Sequence, residues 1–327
     1  MRERADRIAS LAGTLATMAK LSDDDRSTIE RAGMLVKFDL GSQMVTELTS
    51  LAGIMARDYA LHAGESLEVA QALHETELPR HAGDAVPDSL PGSVLALADR
   101  IDMLVGLVAT MGVPTGSSDP FALRRAALGV IAICRAHDVL MPLSLTEAFA
   151  ASGGLQPVEV PPATLKDLAT FVTRRFEQVL VDESPPVDWV RAVLPHADRP
   201  YRADQMLAQL RVLVGQQNFC NVVDALQRSR RIVPAGTPAG YDPGTLTEPA
   251  ELRLHDIVTR VGADLDDGAD LQRFVETFGR VVEPLNAFFD KVFVMVDDQQ
   301  LRRARLGLLA SIEDLGAGVL DWHELRL

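Results

Sequence analysis

The chain has 327 residues, 47% of them hydrophobic but only 5% aromatic, which predicts two or three domains with aliphatic cores. That composition suits packed helices and argues against β-sandwiches, where Val, Ile and aromatics at period two would dominate. Asp plus Glu number 46 against 32 Lys plus Arg, a formal charge of −14, so any RNA contact must come from local cationic patches.

Residues 3–19 predict a helix with Ile8, Leu11, Leu15 and Met18 on one side, and the opening MRERADRIAS carries no hydrophobic signal core. Ser22 with Asp25 three residues on resembles a capping box, starting a helix through Ile29, Ala32 and Val36. After a break at Gly41, Met44, Leu48, Leu51 and Met55 continue the helical period to Gly64. Ser66 caps the next helix, which Val69, Leu73 and Leu78 carry to Pro79. Residues 82–92 read as a loop and 94–108 as a strongly apolar helix.

In 114–129, PTGSSDPFALRRAALG, Pro114, Gly116 and two serines make a loop, Asp119 is suited to cap a helix and Pro120 to its first position. Phe121, Leu123, Ala127 and Leu128 give the helix an apolar side. Arg124 and Arg125 put two cations near its start, against the helix dipole, a placement for which a polyanion is the obvious partner, although on the residues alone a capped surface helix with solvated arginines is the favoured reading. The helix runs to about Ala136. ASGGLQPVEVPP (151–162) clusters Gly and Pro without periodicity and reads as a linker, dividing the chain into 1–156 and 157–327.

The second part opens on a helix with Leu165, Leu168, Phe171, Val172 and Phe176 as its apolar positions. Further helices are predicted over 187–194, 201–214, 217–231, 248–263, 268–279 and 281–295. The last, 299–319, places Leu301, Leu308, Leu309, Ile312 and Leu315 on one stripe. With no βαβ alternation and no internal repeat, the prediction is an all-α chain of two helical domains.

No Walker loop, dinucleotide fingerprint or nucleophile elbow occurs, nor do the signature motifs of adenylate-forming synthetase cores. His137-Asp138 and His255-Asp256, with His62, His74 and His81 upstream, invite comparison with metal-dependent HD phosphohydrolases. Neither pair has an upstream His and a downstream Asp at suitable spacing, and Pro79 interrupts the face between His74 and His81, so no metal ligand is assigned. Cys134 and Cys220 read as reduced thiols. Uncharged stretches fall short of a membrane span, so the expected location is the cytoplasm. The cationic patches are Arg124/Arg125, Arg228–Arg231 (RSRR), and Arg302, Arg303 and Arg305; a solvated helix face is the plain alternative for each.

Several segments in order resemble the beta subunit of the bacterial heterotetrameric glycyl-tRNA synthetase. They are LAGTLA (11–16), KFDLGSQMVTELTSLAGIMARDYALHAGE (37–65), ELPRHAGDAVP (77–87), LADRIDMLVG (97–106), PTGSSDPFALRRAALG, and NAFFDKVFVMVDDQQLRRARLGLL (286–309). The resemblance implies the C-terminal half of that subunit, the family's large N-terminal portion having no counterpart here. Residues 1–156 would be an HD-like domain without metal ligands. Residues 157–327 would be an anticodon-binding domain like that of arginyl-tRNA synthetase, with a C-terminal helical tail.

It further implies tRNA(Gly) and the synthetase alpha subunit as partners, in an alpha2beta2 assembly with no membrane. No cofactor would lie in this chain, ATP and Mg being used by the alpha subunit. The tRNA contacts expected are Arg124, Arg125, Arg175, Arg228 and Arg231, joined by Lys291 and Arg302, because guanidinium forks grip phosphates and stack on bases. Ser118 stands where the family usually has Lys. Gln227-Arg228 and Arg231-Ile232-Val233 stand where it commonly has Lys-Arg and Asn-Ile-Leu. These departures keep open a second expectation, a truncated relative acting as a protein-interaction scaffold without ligase function.

Overall fold

A computed structural model describes residues 1–114, 119, 121–265 and 270–327; Thr115 to Ser118 and Pro120, where the loop and first-turn assignments fall, lie outside it. The described residues form helices and no strand, as the aliphatic composition predicts. Two compact units emerge, Met1–Asp182 with Ala197–Arg202, and Glu183–His196 with Ala203–Leu327.

The first unit contains α1 (Arg2–Met18), α2 (Asp23–Leu35), α3 (Gln43–Glu47), α4 (Ile54–His62), α5 (Leu67–Glu75), α6 (Leu90–Met111), α7 (Leu123–Ala136), α8 (Leu145–Gly153) and α9 (Pro162–Asp182). α6 is its axis. Buried residues run almost all the way round it from Val94 to Val108, and it packs on α1, α2, α5, α7, α8 and α9, as a helix buried on nearly every side must. Serines set the starts of several helices: Ser22, Ser42, Ser66, Ser89 and Ser144 each accept a backbone N–H from three residues on.

In the first unit the expected helical stretch from Met44 to Gly64 is split into α3 and α4, and α6 begins at Leu90 inside the expected 82–92 loop. Two further features differ from the sequence expectation. Between α8 and α9 the Gly/Pro-rich segment is a turn inside the first unit: the Gln156 amide donates to the Asp102 carboxylate at 3.0 Å, and α9 buries Leu168, Phe171, Val172, Phe176 and Leu180 while packing on α6, α7 and α8. The division therefore falls after Asp182. The second difference is where α7 starts. Ala122 precedes its first residue in the left-handed region (φ 57°), and the Asp119 carboxylate reaches across to accept from the N–H groups of Leu123 (2.8 Å) and Arg124 (2.9 Å). Asp119 keeps its capping role, but Phe121 stays outside the helix and is 48% exposed.

The second unit contains α10 (Val187–Val193), most of α11 (Pro200–Leu213), α12 (Gln217–Ile232), α13 (Pro249–Asp264), α14 (Leu271–Lys291) and α15 (Gln299–Gly316). α14 is one helix where two were expected. Its apolar stripe of Leu271, Phe274, Val275, Phe278, Val281, Leu285 and Phe288 stays in phase through Pro284, and burying it outweighs the roughly 3 kcal/mol a mid-helix proline costs. Trp322 closes this core: its ring stacks on Phe274 at 5.2 Å and its indole N–H donates to the Gly316 carbonyl at 2.8 Å. Gln227 donates to the carbonyls of Trp322 (2.8 Å) and Leu325 (2.9 Å), tying the end of the chain to α12. Among the described residues no helix is long and apolar enough to cross a membrane.

Candidate nucleic-acid interface

On the second unit α12 and α14 pack together and leave an open groove of about 330 Å³ on one side. α12 contributes Asn221, Asp224, Arg228 and Arg231, spaced at three and four residues and so on one helical face; α14 contributes Val282 and Asn286. The Arg228 guanidinium lies over the Phe289 ring, 4.1 Å from its centroid, with Nη1 3.5 Å from the Asn286 side-chain oxygen. A cation held over an aromatic face loses less freedom on binding, and its plane is already set to stack or to fork onto a phosphate. Arg231 is exposed and its Nε donates to the Gln227 carbonyl at 3.3 Å. Two side-chain amides beside two guanidiniums can serve both base edges and backbone phosphates.

The RSRR cluster is therefore split by helical phase. Arg228 and Arg231 share the groove, Ser229 is buried and bonded to the Ala225 carbonyl, and Arg230 pairs with Glu313 at 3.2 Å. Lys291, the exposed last residue of α14, and Arg302, in the first turn of α15, do not line the groove.

The third cationic patch needs correcting. Arg305 is only 6% exposed; its Nε donates to the fully buried Glu251 carboxylate and its Nη1 to the Phe293 carbonyl at 2.8 Å. The other Glu251 oxygen accepts from the N–H groups of Thr247 and Glu248, both at 2.9 Å, so this pair fixes the start of α13 and offers nothing to RNA. Its phase was a readable signal, since Arg305 lies four residues after Leu301 and before Leu309 on the apolar stripe. Phe289, Asn286 and Asn221 were missed altogether, because pairing between helices leaves no trace in the period of either one.

In the first unit Arg125 is exposed and Arg124 half-buried at the start of α7. Arg175, on α9, is half-buried with its guanidinium 5.6 Å from the Phe171 ring, and its buried Nε has no hydrogen-bond partner.

The His-Asp pairs serve local structure. His137 Nε2 lies 2.8 Å from the Pro87 carbonyl, Asp138 accepts from the Val139 N–H, and His255 Nδ1 is 2.6 Å from the Tyr241 hydroxyl. Among the described residues no three His, Cys, Asp or Glu side chains gather where they could hold a metal. The interior charge of the first unit is handled by ion pairs instead. The Lys37 ammonium sits 2.6 Å from Glu77 and 2.8 Å from Asp99, Arg4 reaches Asp99 at 2.8 Å, and Arg7 reaches Asp102 at 2.7 Å. Burial favours neutral Lys37, but the facing Asp99 and Glu77 outweigh it and hold the lysine pKa above its usual value. Burial likewise favours protonated Asp99, and Lys37 with Arg4 outweighs it, holding that carboxyl below the usual range. Beside them Arg100 donates to the carbonyls of Thr76, Ala96, Glu77 and Pro79, clamping the end of α5 and the residues after it.

The family described as Glycyl-tRNA synthetase beta subunit matches residues 1–195. Among curated relatives, the Arabidopsis thaliana protein named glycine–tRNA ligase, chloroplastic/mitochondrial 2, is 37% identical over 98% of this chain and 30% of its own length. The glycine–tRNA ligase beta subunits of Pasteurella multocida and Haemophilus influenzae are 36% and 34% identical, over 98% and 100% of this chain and 47% and 48% of their own lengths. The chain thus spans about half the length of these bacterial relatives. With a family match covering more than half of its residues, the chain belongs to the glycyl-tRNA synthetase beta subunit family.

Proposed function

We propose that this chain is the tRNA-holding, C-terminal half of a glycine–tRNA ligase beta subunit, positioning tRNA(Gly) for aminoacylation by a separate alpha subunit. In this reading the alpha subunit carries ATP, Mg and the chemistry that joins glycine to tRNA, and an alpha2beta2 assembly brings the two together. The first unit is an HD-like scaffold and the second an anticodon-binding-like bundle. This chain's share in catalysis is positioning, which lowers the barrier by fixing the reacting ends before the chemical step.

The observation that carries the reading is the Arg228 guanidinium stacked on Phe289 in a groove shared with Arg231, Asn221 and Asn286. In a strongly acidic chain this groove sets two guanidiniums against the one carboxylate of Asp224, beside two side-chain amides, and that local excess of cations supports RNA binding. The test is steady-state aminoacylation by the ligase containing this chain. Arg228→Ala raises the KM for tRNA(Gly) about tenfold and leaves the KM for ATP and glycine unchanged, since a stacking and phosphate contact is worth about 1 to 3 kcal/mol. An unchanged KM for tRNA contradicts the reading.

One observation favours the protein-scaffold alternative. Met34 at the end of α2 and Leu48 after α3 are large apolar side chains left 66% and 54% exposed, which suits a protein partner. Purification from the host separates the readings: co-elution with an alpha subunit supports the ligase, and co-elution with an unrelated protein in its place supports the scaffold.

A further inference from the structure

A second concave site lies wholly within the first unit, where the loop after Pro79 faces α7 and α9, and encloses about 180 Å³. Its walls are apolar: Pro79 on one side, Leu128 and Ile131 on α7, Ala132 at the next position, and Val179 on α9. Gly83 completes the loop side at φ 78°, a left-handed conformation that favours glycine, and nothing lies within 4 Å of where its Cβ would be. The loop is held at its start. Arg100 donates to the Pro79 carbonyl at 2.9 Å, and the Arg80 guanidinium to the carbonyls of Ser50 (2.8 Å) and Ala52 (2.7 Å).

The lining also carries polar groups. Arg125 is exposed there, and His81 and Arg135 join it. Among the described lining residues one is acidic, Asp84, whose carboxylate accepts from the N–H groups of Arg80 (2.8 Å) and Ala85 (3.0 Å). Those donors hold its carboxyl below the usual range, so it remains an acceptor at neutral pH. The combination discriminates among ligands. Glycine has no side chain to fill apolar walls, and a free carboxylate would meet Asp84. A flat heteroaromatic ring fills such a slot through its faces, offers an exocyclic amino group to Asp84, and brings a phosphate to Arg125.

We propose that this slot takes one nucleobase with its adjacent phosphate on Arg125. The RNA source of that base rests on the tRNA-holding reading above; a free mononucleotide presents the same chemistry.

The full chain is titrated with a tRNA(Gly) transcript and, separately, with AMP, before and after Ala132→Leu, which fills the slot without removing a charge. An RNA source predicts about tenfold weaker transcript binding with an unchanged salt slope. A mononucleotide source predicts that AMP binding is lost while transcript binding stays. No change with either ligand overturns the proposal. Should Ala132→Leu fail to fold, Ala132→Cys gives a second readout, because burial pushes the native Cys134 thiol up to about 12 and leaves it unreactive. Its alkylation, corrected for Cys220 in the parent, slows when the transcript or AMP is bound; an unprotected thiol overturns the slot. A silent Ala132→Leu with a strong Arg228→Ala effect removes the slot alone, and the reverse result removes the groove alone.

Discussion

Asp99 shows how one residue sets conditions for the whole first unit. It faces both Lys37 and Arg4, so Asp99→Asn leaves the largely buried Lys37 ammonium with Glu77 as its remaining close counter-charge. The expected cost is about 3 kcal/mol, the lower end for breaking one side of a buried pair. The pH dependence follows from the directions of the two shifts. The carboxyl of Asp99 is depressed in the fold, so its stabilisation is present above its ordinary value of 3.8 and lost as pH falls through the folded value. The ammonium of Lys37 is raised in the fold, so its stabilisation is present below 10.5 and lost as pH rises through the folded value. Urea unfolding followed by circular dichroism should therefore show a constant gap between parent and Asp99→Asn from about pH 5 to pH 9, narrowing below the ordinary aspartate range. A gap that persists undiminished at acid pH contradicts the charged-pair account.

At the scale of elements, α7 begins under tension. Arg124 and Arg125 oppose the dipole at its start, and the Asp119 carboxylate both neutralises that end and accepts two of its unpaired N–H groups. Asp119→Ala should lower stability by about 1 kcal/mol, read as a lower thermal midpoint; an unchanged midpoint would mean the cap is ornamental.

The cap was legible from Asp119 before an apolar run, but its geometry was not, because the sequence gives no sign of Ala122 turning left-handed first. The middle of α6 was legible from its apolar run over 94–108, but its first turn from Leu90 was read as loop and its last turn to Met111 was not seen. α14 was read as two helices, 268–279 and 281–295, divided beside Gly279, which looks like a breaker locally, whereas the stripe from Phe274 to Phe288 runs through it. The linker reading of 151–162 failed for a related reason: Gly and Pro are equally dense in a turn between packed helices and in a tether between domains. Of the candidate interface, the two arginines on α12 were legible and their aromatic support was not. Val282, Asn286 and Phe289 recur at helical spacing beside the apolar stripe of α14, a pattern that acquires meaning only once α12 lies alongside.

For the molecule as a whole, the balance of −14 and the groove on α12 and α14 act on different distances. Bulk negative charge repels RNA over a Debye length, about 8 Å at physiological salt, while the guanidiniums act at contact. Tight binding then depends on few cations, each of which should show in the salt dependence. The central claim is that Arg228 on its Phe289 platform holds tRNA(Gly), and the direct measurement is the affinity of the chain for tRNA(Gly) as a function of salt, for the parent and Arg228→Ala. The account predicts affinity about tenfold lower at low salt and a salt slope reduced by about 1. Equal affinity with an identical slope would contradict it.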